Sequence, residues 1–383
     1  MFVRLNALAV GLLCSAALVP VRAQEQPVKK EAQPKVEVVF CLDTTGSMKG
    51  LISAAKQKIW SISNQITTGN PTPYVKVGLV AYRDRGDAYI TKVFDLTDDL
   101  DKVYADLMSF QAAGGGDFPE SVNQALHESV TKISWSKDKK TLRMIFLVGD
   151  APPHMDYPDD VKYPETCQLA VKNDIIINTV QCGHHKETEK YWRDICRLAE
   201  GSYVQIDAKG GPVVAIETPY DGDLAKINGA LVKKTLVYGS REAQTKGAAK
   251  AKAGTELAPT AQADRVGFLI RNAGGGTSYD LLHNVQTGKV KLEELKKDEL
   301  PAELRELNLE QQKEYLNKLD TERKELTQKA LDLDKKRNDF IAKKQAEDGK
   351  AQASSFDNRV MEILQQQAGR NNLLRYENGK EKK

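Results

Sequence analysis

The chain has 383 residues, a formal net charge of +3, 28% charged residues and only 7% aromatic ones. That length allows about two domains. The small net charge, with no clustered basic face, excludes a nucleic-acid surface built on phosphate neutralisation. Residues 1–23 stand apart: Arg4 precedes a mostly apolar run from Leu5 to Val19, and Val21-Arg22-Ala23 offers a small-residue cleavage site. The pattern predicts a secretory signal peptide cut after Ala23, hence an extracytoplasmic (periplasmic or secreted) protein. An uncleaved anchor is the other reading, but the run is shorter than the ~20 residues a span needs. Residues 24–34 read as a polar leader, and no later segment is apolar enough to span a membrane.

From Lys35 to Ile206 strands and helices alternate. Strands are expected at Val36–Leu42, Tyr74–Tyr82, Tyr89–Phe94, Met144–Val148, Ile175–Val180 and Tyr203–Ile206. Helices are expected at Ser47–Ile66, Leu100–Phe110, Pro119–Ile133, Pro164–Val171 and Lys186–Ala199. Met144–Val148 is apolar throughout, as in a central parallel strand. The alternation argues an α/β fold: a doubly wound, mostly parallel sheet, with a C-terminal α-helical extension. We divide the chain into a sheet domain at 35–208, a mixed extension at 209–290 and a charged helical region at 291–383. In the extension, Pro212–Tyr238 reads as strand, turn and helix, and 241–262 as a polar helix broken at Gly254. Val266–Ile270 and the Tyr279–Leu292 unit have no clear assignment. Pro301 to about Asp348 reads as one long helix whose Leu309, Leu316, Leu319, Leu326, Ala330, Leu333 and Phe340 follow a heptad rhythm interrupted by Arg323. Packing on the domain and coiled-coil homodimerisation are both open for it. Phe356–Leu364 is a last amphipathic piece before a Lys-rich end.

Three loops carry oxygen-bearing side chains, and all three fall on the carboxyl rim expected of the sheet. They are Asp43-Thr44-Thr45-Gly46-Ser47, Gly114-Gly115-Gly116-Asp117-Phe118-Pro119-Glu120 and Val148-Gly149-Asp150-Ala151-Pro152-Pro153-His154. Open α/β sheets bind ligands at that rim, and hard divalent cations take oxygen donors. Each Asp or Ser could instead be a helix N-cap, a less economical account of three loops than of one. Glu120 and His154 are candidates for outer positions around the site. His154, His184, His185, Cys182 and Cys167 are a weaker set from which a zinc site could be built. Arg85-Gly86-Asp87 spells an adhesion tripeptide and is expected only to close a turn, and His127 is expected to be structural. Cys41 and Cys196 read as core residues. Cys167 and Cys182 both fall near the carboxyl rim, so either a disulfide between them or two free thiols is open.

These loops, in this order, resemble the metal-ion-dependent adhesion site (MIDAS) of the von Willebrand factor type A (VWA) domain. The family's Asp-x-Ser-x-Ser corresponds to Asp43, Thr45 and Ser47, and its strand-terminal Asp corresponds to Asp150. Its second-loop Thr is replaced by Asp117, in a Gly-Gly-Gly-Asp-x-Pro-Glu sequence that resembles a bacterial and alpha-kinase-associated branch, as does Tyr82-Arg83-Asp84. The resemblance implies an exported protein–protein or surface-recognition module rather than an enzyme. It implies a cation (Mg2+, or Ca2+ or Mn2+) held by Asp43, Thr45, Ser47, Asp117 and Asp150, and an unidentified protein or cell-envelope partner. Asp117 in place of a hydroxyl adds negative charge, which favours cation binding and disfavours an acidic ligand.

Two other readings remain. The first and third loops also resemble the aspartyl-phosphate and Gly-Asp loops of haloacid-dehalogenase-like phosphatases, which would make Asp43 a nucleophile. Against this, Thr45 stands where those phosphatases usually place a second Asp, and the Gly-rich loop has no role. The other is an envelope scaffold in which the metal only stabilises the fold.

Overall fold

The computed structural model describes residues 33–208, 216–272, 276–348, 356–370 and 373–376. The expected signal peptide, nearly all of the polar leader, the strand expected near Pro212 and the Lys-rich end lie outside these residues. Six strands, β1 (Lys35–Asp43), β2 (Tyr74–Tyr82), β3 (Thr91–Thr97), β4 (Thr141–Gly149), β5 (Ile175–Cys182) and β6 (Tyr203–Ile206), form one sheet in the order β3-β2-β1-β4-β5-β6. Only β3, at the edge, is antiparallel to its neighbour. It begins two residues later than the sequence pattern suggested.

Side chains alternate across β1, as the two-residue strand period requires. Val36, Val38, Phe40 and Leu42 enter one core with helix α1 (Lys49–Ile66) and helix α2 (Leu100–Met108). Val39 and Cys41 enter the other with α3 (Val122–Thr131), α4 (Tyr163–Lys172) and α5 (Lys186–Leu198). Both faces of the sheet are therefore covered, which is why β4 is buried at every position. The chain leaves β1 toward β2 on one side, while β4 pairs on the other. This makes the carboxyl ends of β1 and β4 the switch point of the fold, where such sheets place ligands.

The two-faced core settles the cysteines. Cys167 lies in the α3–α5 layer and Cys182 in the α1 layer. The sheet separates them, and all four described cysteines are free thiols. The Cys167–Cys182 bridge is thus excluded: closeness to one rim does not place two side chains on one face.

The extension is helical: α6 (Asp221–Lys233), α7 (Arg241–Thr255), α8 (Pro259–Asn272), α9 (Leu281–Gln286), α10 (Leu309–Asp348) and α11 (Phe356–Arg370). The break near Gly254 separates two helices, and the unassigned Val266–Ile270 is the buried stripe of α8. Gly254 has a packing reason, because a Cβ there would lie 2.6 Å from Nε of Arg265. The Arg265 guanidinium is buried, grips both oxygens of Asp101 at 2.7 Å, and donates to Asn228 at 2.6 Å.

Helix α10 starts at Leu309 rather than Pro301, after a 3-10 turn at Ala302–Leu304. Leu316, Leu319 and Ala330 of its heptad seam are buried within this chain. The polar interruptions are buried too. Arg323 pairs with Asp280, Asp334 with Arg271, and Arg337 with Asp221 and Asp264 at 2.6 Å each. Helix α11 packs Phe356, Val360, Ile363 and Leu364 into the α1 side of the sheet core. Lys58 meets Asp357 at 3.0 Å, and Gln367 exchanges hydrogen bonds with Asn178 of β5. Helix α11, drawn from sequence as part of a separate charged region, therefore joins the sheet core, while α10 packs on the helical extension. Among the described residues no helix is long and apolar enough to cross a membrane.

Candidate metal centre

Asp43 ends β1, fully buried. Its Oδ1 accepts hydrogen bonds from the Thr45 amide at 2.8 Å and the Thr45 hydroxyl at 2.6 Å. This closes an Asx turn that swings the chain into a 3-10 turn at Gly46–Met48 and then into α1. The Thr45 hydroxyl lies 3.3 Å from that of Ser47, which is exposed at the lip. The other oxygen, Asp43 Oδ2, is buried with no hydrogen-bond partner among the described residues. So is Oε2 of Glu120.

Position 149 must be glycine, because a Cβ there would fall 2.5 Å from the Tyr82 hydroxyl and 3.0 Å from Asp43 Cβ. That close approach brings Asp150 beside Asp43. The Asp150 carbonyl is fixed by the Thr188 hydroxyl of α5 at 2.9 Å. The Gly-rich loop crosses from the other side. Gly46 donates to the Gly114 carbonyl at 3.2 Å, and Gly114 and Gly115 adopt φ of +81° and +80°. A Cβ on Gly115 would lie 3.1 Å from Glu120 Oε1 and 3.2 Å from Thr45 Cβ, so this backbone runs between those two side chains.

Three carboxyls thus crowd one pocket, and their ionisation records it. Burial, then the Asp150 charge, pushes Asp43 up to about 7, against smaller opposing contributions from Thr45 and the Asp150 backbone. Burial, then Asp43, Asp84, Asp87 and Asp150, pushes Glu120 up to about 9. Burial raises Asp150 as well, opposed by the Ser47 hydroxyl and, more weakly, by the nearby His185. Partly buried oxygen donors that resist ionisation in the absence of a cation, two of them with an unpartnered buried oxygen, fit a hard divalent ion.

The sequence-derived residues divide. Asp43, Thr45, Ser47 and Asp150 come together, and Glu120 joins them. Asp117 goes elsewhere: it is exposed, with Oδ2 3.8 Å from Nε2 of His154. His154 is buried and lies 3.3 Å from Asp84. The zinc set drawn from sequence does not assemble. Cys167 and Cys182 face opposite cores, His184 is exposed, and the His185 ring packs at a tilt against exposed Phe118 with centroids 4.2 Å apart. The Arg85-Gly86-Asp87 turn is occupied structurally. Arg85 pairs with Asp159 and Asp160, while Asp87 accepts from the Gly115 amide at 3.1 Å. Sequence reasoning missed Asp84, Asp156 and Tyr157 as site neighbours. Their only signals were Asp84 following β2 and the nearness of Asp156 and Tyr157 to His154 in the chain.

Fold and site together define a doubly wound α/β module with a carboxyl-lined pocket at its switch point. Residues 37–217, a little under half of the chain, match the family model described as von Willebrand factor A domain. A protein of Acanthamoeba polyphaga mimivirus described as ariadne-like RING finger protein R811 is 20% identical over 202 residues. That match covers 49% of this chain and 20% of the relative, so the chain spans about a fifth of its length. Proximal thread matrix protein 1 from the mussel byssus is similar at 12% identity with a TM-score of 0.37, over 46% of this chain and 42% of that one. The SpRpn10 VWA domain is similar at 15% identity with a TM-score of 0.36, over 46% of this chain and 89% of that one.

Proposed function

We propose that this protein is an exported, metal-dependent recognition module and not an enzyme. Asp43, Thr45, Ser47 and Asp150 hold a divalent cation, Mg2+ first and Ca2+ or Mn2+ as alternatives. A protein or cell-envelope partner binds at the rim above it. The observation that carries the reading is the buried Asp43 carboxylate, whose Oδ2 has no partner among the described residues and whose neighbours are Asp150 and Glu120. Exposed Phe118, beside His185, gives the rim an apolar contact, and exposed Asp117 makes it unfavourable for an acidic ligand. A nucleophilic role for Asp43 fits poorly, since its side chain is fully buried and Oδ1 is engaged twice by Thr45. Leu316, Leu319 and Ala330 of the α10 seam are buried within this chain, so recognition is assigned to the rim rather than to homodimer pairing.

The test is Mg2+ titration of the purified chain by calorimetry, followed by partner capture from the native envelope with and without chelator. Saturable Mg2+ binding lost in Ser47→Ala, with capture that disappears on chelation, is the expected result. Mg2+ binding without metal-dependent capture would leave a stabilising ion only. Phosphatase turnover lost in Asp43→Asn would replace the reading altogether.

A further inference from the structure

Asp84, Asp117 and His154 each offer one ligand atom, and the three atoms lie within 4.8 Å of one another. Nε2 of His154 is 3.3 Å from Asp84 Oδ2 and 3.8 Å from Asp117 Oδ2. Around a tetrahedral ion with bonds of about 2.0–2.2 Å, neighbouring ligand atoms sit roughly 3.3–3.5 Å apart. The three donors are therefore close to ligand spacing already. Asp117, with a side chain 63% exposed, is free to close the remaining gap.

The surrounding groups orient these donors as outer partners orient metal ligands. Nδ1 of His154 meets Asp156 at 2.8 Å, and Nε2 faces the two carboxylates with the Tyr157 hydroxyl beside it at 3.2 Å. Asp84 Oδ1 accepts from the Ser121 hydroxyl at 2.8 Å. The Tyr157 hydroxyl donates to Asp84 Oδ2 at 2.9 Å, and its ring stacks on His154 at 4.0 Å. The Arg85 guanidinium covers Tyr157 at 4.0 Å from the ring centroid. His154 and Asp84 are both buried, so the ring and one carboxylate are held fixed while Asp117 supplies the exposed side.

We propose that Asp84, Asp117 and His154 form a second metal site that takes a transition-metal ion of the Zn2+ class, separate from the all-oxygen pocket at Asp43. An imidazole nitrogen with two carboxylates suits Zn2+, whereas Mg2+ favours oxygen donors only. Two carboxylates and a neutral imidazole balance a doubly charged ion. With three protein ligands, the fourth position faces solvent past Asp117. Glu120 lies between the two pockets, since the Asp43 and Asp84 carboxylates both oppose its ionisation. Its backbone also pairs with the segment that carries His154, which donates its amide to the Glu120 carbonyl at 3.1 Å.

The experiment is Zn2+ titration of the full chain in millimolar Mg2+, with Co2+ absorption as a spectroscopic reading of coordination. One Zn2+ per chain is expected, retained in excess Mg2+, and Co2+ should give the intense visible bands of a four-coordinate ion. His154→Gln and Asp117→Asn should each weaken Zn2+ at least ten-fold, while His184→Gln, an exposed histidine outside the cluster, changes nothing. Asp117→Asn is the decisive variant, because that side chain is exposed and its replacement leaves the fold intact. Undiminished Zn2+ affinity in Asp117→Asn and His154→Gln, or displacement of Zn2+ by Mg2+, would overturn the proposal. Mg2+ binding is read separately, so loss of the first site would not be mistaken for loss of the second.

Discussion

Replacing Asp43 with asparagine should stabilise the metal-free protein and abolish its stabilisation by metal. Burial and Asp150 raise Asp43 from 3.8 to about 7. A raised carboxyl means that the unfolded chain releases its proton first. The resulting destabilisation is absent below pH 3.8, grows as pH rises toward 7, and is complete above it. Its full size is on the order of 4 kcal/mol, and at pH 5 it is less than half of that. Asp43→Asn keeps an oxygen for the two Thr45 hydrogen bonds and removes the charge. In chelator, urea unfolding should find the variant more stable than wild type at pH 8, by an amount that shrinks by more than half on going to pH 5. Comparing variant with wild type cancels titrations not coupled to Asp43, including His283, which burial lowers and which acts in the opposite direction below neutrality. Saturating Mg2+ should reverse the order, because only wild type gains from the ion. A variant less stable than wild type at pH 8 in chelator, or a gap that does not change between pH 8 and pH 5, would refute the argument.

Four further outcomes follow from the same geometry. Mg2+ affinity, read by calorimetry, should weaken as pH falls through about 7, because protons compete for Asp43. Gly115→Ala should cost about 1–3 kcal/mol in urea unfolding and loosen Mg2+ binding, since φ is +80° and the new methyl meets Glu120 and Thr45. Arg265→Ala should cost about 3–5 kcal/mol by leaving Asp101 buried without its partner, and Asp101→Asn in the same chain should recover part of the loss. Phe356→Ala should cost about 3–5 kcal/mol, measured the same way, although Phe356 lies more than a hundred residues beyond the family match.

Strand and helix order from Lys35 to Ile206 was legible because each element there has a single strong period, with two-residue alternation in β1 and helical spacing in α1. The turn at Asp43 was legible because Asp43, Thr45 and Ser47 act within one local motif. What escaped the sequence depends on contacts between distant segments. Arg323 broke a heptad on paper, whereas in the fold it faces Asp280 across a buried interface. Asp117 occupies the expected loop, but its side chain leans toward His154, a choice made by the Glu120–Pro153 backbone bridge that brings the second and third loops together. The assignment of α11 to the sheet core was hidden for the same reason: an amphipathic stripe shows that a helix has a buried side but not what it lies against.

The placement of α11 also sets a timetable. The Tyr376 hydroxyl just beyond that helix donates to the Ile66 carbonyl, 310 residues away in sequence. At about 5–20 residues per second, a ribosome needs roughly 15–60 s to make the chain between these points. During that interval the β1 face carrying Phe40 waits for the ring of Phe356 that will lie 6.2 Å from it. Loop length itself adds little to the final equilibrium, so the cost falls on time rather than on stability. The nascent protein therefore carries an incompletely covered apolar surface for most of its own synthesis, and native core closure comes late, after the loops bearing Asp43, Asp117 and Asp150 have all been made.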